Sequence, residues 1–307
     1  MILNILFIVI GIVLVLWGAD RLTDGAVAVA EKMKMPQIVI GLTIVAMGTS
    51  MPEFCVSLIS ALKGTSDLAV GNIVGSNIFN TLLIVGVSAL VAPMSIMKTT
   101  VRKDIPFALV ASALLLIMCL DGDISRIDAA ILFVMFLIFM YITLRGAKAQ
   151  GTDLEEKEKK PMATWLSIVW ILVGLACLIG GSNLFVDGAT AVATKLGVSE
   201  AVIGLTIVAG GTSLPELATS VVSARKGNSG IAIGNVLGSN VFNILAILGL
   251  TGVISPMTLK GITMTDLSMM VISIILIWLF SFTKHKIERW EGAILTAVFV
   301  GYIYSLL

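Results

Sequence analysis

The chain consists almost entirely of long apolar stretches separated by short charged loops. Of its 307 residues, 58% are hydrophobic and 13% are charged, so a soluble domain could not bury the apolar surface. Most stretches approach the roughly 20 residues that a helix needs to cross a bilayer. We therefore expect an all-α membrane protein with ten transmembrane helices, over about 2–18, 37–62, 68–92, 105–120, 127–144, 164–181, 199–224, 230–254, 267–283 and 291–306.

Composition also disfavours several functions. The net charge of +1 is too small for a nucleic-acid surface. Cys55, Cys119 and Cys177 lie in apolar stretches without paired spacing, which predicts neither a disulfide framework nor a zinc site. The single histidine, His285, lies in a charged loop, so no membrane-embedded imidazole could activate a serine for hydrolysis. We expect no enzyme and no cofactor.

Two segments of the chain repeat each other. The octapeptide VIGLTIVA occupies 39–46 and again 202–209, and residues 18–80 align without a gap with residues 181–243. Each repeat holds about five spans, an odd number, so the two halves should have opposite topology in the membrane, as in many secondary transporters. We expect an N-terminal five-helix repeat over 1–145, a charged cytoplasmic linker over 146–162 and an inverted five-helix repeat over 163–307.

The distribution of basic residues predicts the orientation. Of the 20 Lys and Arg residues, 16 fall in the loops after spans 1, 3, 5, 7 and 9, and four fall in the opposite loops. Because positively charged loops stay in the cytoplasm, both termini should be extracytoplasmic. We expect a multi-pass protein of the cell (plasma or inner) membrane.

Each repeat carries one carboxylate in the middle of an apolar span, Glu53 in span 2 and Glu216 in span 7. A charge at that depth costs a few kcal/mol and is a candidate functional group. Gly-Thr-Ser-x-Pro precedes each glutamate, and proline should break helices 2 and 7 and free carbonyl oxygens. Ser50 and Ser213 also fit a capping box with these glutamates, but a glutamine would cap equally well, so a cation-ligand role is favoured.

Spans 3 and 8 carry a second polar stripe. Ser76 and Asn80 are four residues apart and share a helix face, as do Ser239 and Asn243. Asn72 and Asn235 fall on the same faces one turn earlier, and neighbouring glycines could serve close packing alone. Hydroxyl, amide, carbonyl and carboxylate oxygens without thiol or imidazole suit Ca²⁺ and Na⁺.

These motifs resemble the alpha repeats of the calcium:cation antiporter superfamily, in particular the sodium/calcium exchanger family of bacterial and archaeal type. The resemblance covers Gly-Thr-Ser-x-Pro-Glu and Gly-Ser-Asn-x-Phe-Asn in both halves. It implies four adjoining cation sites, with Glu53 and Glu216 bridging Ca²⁺. The other implied ligands are backbone oxygens of Thr49 and Thr212, Na⁺ ligands Ser50, Ser76, Ser213 and Ser239 with carbonyls of Ala46 and Ala209, and Asn80 and Asn243 at the central site.

The resemblance implies a secondary antiporter that exchanges Na⁺ for Ca²⁺ by alternating access, with spans 1 and 6 sliding across spans 2, 3, 7 and 8. Several exchangers, including potassium-dependent ones, carry Asp where this chain has Asn243, so we expect no potassium requirement. A Ca²⁺/H⁺ antiporter is the alternative, because a carboxylate pair can also take protons. A channel is disfavoured, since one buried carboxylate pair is typical of an occluded site rather than a conduction filter. The expected partners are inorganic cations and the lipid bilayer, and a monomer should suffice for transport.

Overall fold

A computed structural model describes residues 2–149, 162–197 and 209–306 of the chain. The described part is built from helices, and two short strand pairs connect loops. The helices are α1 Ile2–Met33, α2 Gln37–Thr49, α3 Met51–Leu62, α4 Ser66–Val91, α5 Thr100–Asp121, α6 Arg126–Ala149, α7 Thr164–Lys195, α8 Ala209–Thr212, α9 Leu214–Arg225, α10 Ser229–Ile254, α11 Met264–Ser281 and α12 Arg289–Leu306. The strands are β1 Met94–Ser95, β2 Asp123–Ile124, β3 Met257–Thr258 and β4 Lys286–Ile287.

The all-α membrane architecture predicted from composition is confirmed. Within the described ranges, seven helices are long and apolar enough to cross a membrane, and the number is eight when α2 and α3, bent by 48° at Ser50, are counted together as one span. The count of ten stays a prediction, because residues 199–208 of the seventh predicted span, with most of the second VIGLTIVA copy, lie outside the described residues. The first four residues of the predicted linker, 146–149, continue α6, and 150–161 also lie outside.

Helices α1 and α7 are much longer than the apolar stretches that predicted them. Each has 32 residues, or about 48 Å, against a hydrocarbon thickness of about 30 Å. Hydropathy ends the first stretch at Gly18, but the helix continues because its next charged residues, Asp20 and Arg21, form ion pairs with each other and with side chains nearby. A charged residue therefore marks the edge of the apolar region here and not the end of the helix.

The contact between α1 and α7 shows the inverted relation of the two repeats. A Cβ atom added to Gly11 would lie 2.6 Å from the Gly181 carbonyl oxygen, and one added to Gly18 would lie 2.8 Å from the Gly174 oxygen. Position 181 corresponds to 18 and position 174 to 11 under the 163-residue offset, so the contacts are reciprocal. Equivalent helices of the two repeats therefore run antiparallel about a pseudo-twofold axis, and glycine allows their backbones to touch.

Helices α4 and α10 form the centre of the molecule. In the most apolar window of each, 72% and 94% of the residues are buried, against 22% to 33% in the other long spans. The outer helices leave many large apolar side chains exposed, as expected for surfaces that face lipid. The strand pairs β1–β4 and β2–β3 join loops between the outer helices. The polar stripe of the sequence is thereby enclosed by protein.

Candidate cation site

The two predicted helix breaks lie at equivalent serines. Helix α2 ends at Thr49 and α3 begins at Met51, while α8 ends at Thr212 and α9 begins at Leu214. Ser50 (φ −83°, ψ 11°) and Ser213 (φ −89°, ψ 8°) leave the helical conformation in the same way. A proline follows each serine by two residues, where its missing N–H costs nothing because the first turn of a helix has no intrahelical partner for it. The local sequence thus starts a new helix inside the membrane span.

The capping interpretation of these serines is wrong. Within the described structure, neither Ser50 nor Ser213 makes a side-chain cap to its own helix. Each hydroxyl crosses to the other repeat instead. Ser50 Oγ donates to Glu216 Oε1 at 2.9 Å, and Ser213 Oγ donates to Glu53 Oε1 at 3.0 Å. Two breaks and two glutamates are joined into one cluster.

Both glutamates are enclosed by protein. Glu53 is 1% exposed and Glu216 is fully buried, so neither faces acyl chains. The carboxylates lie close enough to repel each other electrostatically. The Thr212 hydroxyl lies against the Glu53 carboxylate, and the Thr49 hydroxyl lies against that of Glu216. Two buried like charges in one cluster are stabilised only when a positive charge or a proton joins them.

Helices α4 and α10 complete the cluster. Ser76 Oγ lies 3.2 Å from Ser213 Oγ. The Ser239 hydroxyl lies near the Glu216 carboxylate, but its geometry does not meet the criteria of a hydrogen bond. Five buried oxygens of the cluster have no hydrogen-bond partner among the described residues, and we call them the open oxygens. They are Glu53 Oε2, Glu216 Oε2, Asn80 Oδ1, Asn243 Oδ1 and Ser239 Oγ. A buried polar atom left unpaired costs free energy, so five such oxygens on the broken helices and the two central helices indicate a ligand cage.

A feature that sequence patterns did not predict is the widened π-helical turn in both central helices. Phe79–Ile84 of α4 and Phe242–Leu248 of α10 are π-helical, and Asn80 and Asn243 are the second residues of these segments. A third π segment, Gly41–Val45, lies in α2. Such turns are frequent at functional sites because they turn side chains and carbonyls out of the regular helix.

Asn72 and Asn235, which the sequence placed on the polar stripe of spans 3 and 8, bond to backbone carbonyls of the broken helices. Asn72 Nδ2 donates to the Glu53 carbonyl at 3.2 Å, and Asn235 Nδ2 donates to the Glu216 carbonyl at 3.3 Å. Thr49 Oγ1 in turn donates to Asn235 Oδ1 at 3.1 Å. These amides support the backbone of the broken helices, because a break leaves carbonyls that need donors. Same-face spacing could not distinguish this support from a place in the cavity.

The carbonyl oxygens of Ala46 and Ala209 are the two predicted backbone ligands for Na⁺. The Ala46 carbonyl accepts from Ser50 N at 3.0 Å and from Thr49 Oγ1 at 3.3 Å. Ala209 is the first described residue of α8, at the edge of the described part.

Beside the cation site, the described residues form a cavity along α4 and a tight helix contact along α10. A cavity of about 490 Å³ reaches Asn72 and Ser76 of α4 and is also lined by Asp266 and Tyr302. At the equivalent end of α10, a Cβ added to Gly238 would lie 2.7 Å from the Leu42 Cα atom, so α10 and α2 are in direct backbone contact. We call the α10 end the packed end; at the α4 end, the segment equivalent to the contacting part of α2, residues 200–208, lies outside the described residues.

An ion-pair cluster lies at the packed end. Lys226 Nζ, just after α9, lies 2.6 Å from Asp20 Oδ1 and 2.7 Å from Asp24 Oδ1 of α1, at the packed end. The equivalent residues at the other end are Lys63 and Asp187, which are both exposed, and neither forms an ion pair within the described ranges. Asp20 and Asp24 thereby tie α1 to the end of α9.

A buried cage of hard oxygen donors, placed where two inverted repeats with broken helices meet, defines a secondary transporter of cations. The chain belongs to the sodium/calcium exchanger family: the family model described as "Sodium/calcium exchanger protein" matches residues 3–145 and 166–307. It is therefore a membrane transporter of the cation and Ca²⁺ exchange class.

The chain aligns with known relatives over nearly the full length of both proteins. The chain is 37% identical to inner membrane protein YrbG of Escherichia coli, over 100% of this chain and 97% of that protein. It is 33% identical to sodium/calcium exchanger MaX1 of Methanosarcina acetivorans, over 99% and 98%. The solved structure of the sodium-calcium exchanger NCX_Mj superposes with a TM-score of 0.88 at 32% identity and covers 100% of this chain and 99% of that one.

Proposed function

We propose that this protein is a secondary active antiporter that exchanges Na⁺ for Ca²⁺ across the membrane by alternating access. The observation that carries the proposal is the crossed pair of serine–glutamate bonds with the open oxygens around it. Ca²⁺ takes six to eight oxygen ligands in adaptable geometry, and Na⁺ uses the same kind of donor. Both ions would use the same carboxylates.

In this proposal, the charge of the cluster makes the two ions compete. Glu53 and Glu216 supply two negative charges, and the amides Asn80 and Asn243 add none. One Ca²⁺ neutralises the pair, as do two Na⁺. A third Na⁺, which the family resemblance implies, would leave a net charge of +1 in transit, and the membrane potential would then supply about 2.3 kcal/mol per 100 mV.

The proposed ligands keep the roles that the resemblance implies. Glu53 and Glu216 bridge Ca²⁺ with the backbone oxygens of Thr49 and Thr212. Asn80 and Asn243 face the central position, which their open oxygens support. The Na⁺ ligands are the four hydroxyls and two carbonyls of Ser50, Ser76, Ser213, Ser239, Ala46 and Ala209.

We further propose that the protein lies in the cell membrane with both termini on the extracytoplasmic side. The linker over residues 146–162 would then join the two five-helix halves on the cytoplasmic side. The loop contacts support a consistent alternation of sides. Strands β1 and β4 join the loops after the third and ninth spans, and β2 and β3 join those after the fourth and eighth. With this orientation, the cavity beside Asn72 and Ser76 lies toward the extracytoplasmic side.

A Ca²⁺/H⁺ antiporter is the competing function, because a buried carboxylate pair can bind protons as well as Na⁺. The deciding experiment uses purified protein in liposomes loaded with Na⁺, equal pH on both sides, a protonophore and external ⁴⁵Ca²⁺. We expect Ca²⁺ uptake that follows the outward Na⁺ gradient and stops when Na⁺ is equal on both sides. Uptake that ignores Na⁺ but follows an imposed pH gradient would establish the proton-coupled function instead.

A further inference from the structure

Two asparagines outside the proposed ligand set contact the proposed central ligands. Asn80 Nδ2 donates to Asn240 Oδ1 at 3.2 Å, and Asn243 Nδ2 donates to Asn77 Oδ1 at 3.3 Å. All four residues are at most 1% exposed. Under the 163-residue offset, each bond is the image of the other, so both repeats contain this arrangement.

The direction of these bonds determines what each ligand amide presents to the cluster. An asparagine side chain has one oxygen, which accepts, and one NH₂ group, which donates. Asn80 and Asn243 both use their nitrogen toward the other repeat, so the opposite end of each amide is an open oxygen. Reversal of either amide would replace a cation ligand by a pair of N–H donors.

The polarity in one repeat is set by a backbone carbonyl, which can only accept. Thr81 Oγ1 donates to the Asn77 carbonyl at 2.7 Å and therefore has a lone pair for Asn240 Nδ2, which also lies at 2.7 Å. Asn240 must then turn its oxygen to Asn80 Nδ2. Each group along this chain has one direction available to it, and the chain ends at the open oxygen of Asn80.

We propose that Asn240 and Asn77 are positioning residues that lock the amides of Asn80 and Asn243 with their oxygens toward the transported cation. The proposal rests on the proposed function, because it assigns the open oxygens to a transported ion. The image bond is held less firmly, since Asn77 Nδ2 donates only to Met270 Sδ at 3.9 Å and the residue equivalent to Thr81 is Ile244. The lock on Asn80 is therefore the one to test.

The test measures ⁴⁵Ca²⁺ affinity of the purified full-length protein for Asn240→Leu in two backgrounds. With Asn80 intact, the amide can reverse, and we expect the dissociation constant to rise by about 10- to 100-fold, as for other residues that orient metal ligands. With Asn80→Asp, both ends of the side chain are oxygens and orientation is irrelevant. There, Asn240→Leu should change the affinity less than about threefold, so the two substitutions should be strongly non-additive, as is expected of residues in contact.

A second variant tests the proposal even if Asn240→Leu fails to fold. Thr81→Val removes only the hydroxyl that sets the polarity, and Ile244 at the equivalent position shows that an apolar side chain fits such a site. We expect a weaker Ca²⁺ affinity for Thr81→Val with Asn80 and a small change with Asn80→Asp, while the thermal midpoints of the paired variants agree.

Equal losses in both backgrounds would mean that Asn240 and Thr81 support structure alone and would overturn the proposal. Unchanged affinity in the Asn80 background would also overturn it. Loss of Ca²⁺ binding in Asn80→Asp itself would do the same, because a carboxylate is at least as good a Ca²⁺ ligand as an amide. The wild-type protein separates this test from the function: absence of Na⁺-driven Ca²⁺ flux there contradicts the antiporter, whereas normal flux with an indifferent Asn240 contradicts only the lock.

Discussion

Single side chains carry the chemistry of this protein, and their roles depend on contacts between distant parts of the chain. Ser50 and Ser213 look like helix caps when the sequence is read locally, because a glutamate follows each by three residues. In the folded protein, each bonds to the glutamate of the other repeat. The hydroxyl group therefore links the two halves at the place where their charges meet.

Removal of one glutamate charge should stop transport. Loss of one partner of a buried ion pair costs about 3 kcal/mol or more, so Glu53→Gln or Glu216→Gln should weaken Ca²⁺ binding by about 100-fold and abolish Na⁺-driven flux. Glutamine keeps the size of the side chain, so folding should persist, as size-exclusion profiles can verify. Glu291→Gln is the matched control, because Glu291 is equally buried but lies in the first turn of α12. Normal flux in either cluster variant would contradict the carboxylate role.

Asn243 predicts independence from potassium. With an amide at this position, the cluster has two carboxylates and no further negative charge to attract a third type of ion. Replacement of K⁺ by choline on both sides of the liposome membrane should leave Ca²⁺ uptake within about twofold, since a screened bulk ion has little effect on a buried site. Uptake that requires K⁺ in the purified protein would refute this expectation.

The helices position these side chains through close backbone contacts. The α1–α7 pair touches through glycine along much of its length, and α2 touches α10 in the same manner. The ion pairs of Lys226 with Asp20 and Asp24 hold α1 against the core at the packed end.

The glycine contact between α1 and α7 can be tested by stability. A Cβ at Gly181 would lie 2.8 Å from the Gly11 carbonyl oxygen, whereas within the described residues a Cβ at Gly180 would meet nothing within 4 Å. Gly181→Ala should therefore destabilise the protein by about 1–3 kcal/mol through overpacking. Gly180→Ala should be neutral or stabilising because alanine favours helix. Thermal unfolding in detergent compares them, and equal midpoints would argue against the contact.

The Lys226 cluster should favour closure of the packed end. Its side chains are 28% to 35% exposed, so each pair contributes less than about 1 kcal/mol, and their loss changes the population of closed states by only a few fold. In Lys226→Gln, hydrogen exchange in residues 18–26 should accelerate by about two- to fivefold. Lys63→Gln is the pseudo-symmetric control and should leave exchange in residues 181–189 unchanged. Identical exchange in Lys226→Gln and wild type would exclude a stabilising role.

For the molecule as a whole, the sequence predicts which residues form the site better than it predicts how they are arranged. The apolar spans, the offset of 163 residues and the two broken helices all follow from local composition and repetition. The π-helical turns at Asn80 and Asn243, the length of α1 and the amide contacts of Asn77 and Asn240 do not, because they arise from packing between segments about 160 residues apart. A repeat indicates which residues are equivalent, but only the fold shows which equivalent residues touch.

The central claim is that a single buried carboxylate pair binds either one Ca²⁺ or at least two Na⁺. Equilibrium binding of ⁴⁵Ca²⁺ to the purified protein at fixed pH, titrated with Na⁺ against a choline control, tests it most directly. The account predicts one displaceable Ca²⁺ per chain and an apparent dissociation constant that rises with at least the second power of the Na⁺ concentration. Bound Ca²⁺ that Na⁺ cannot displace, in protein that keeps its fold, would contradict the account.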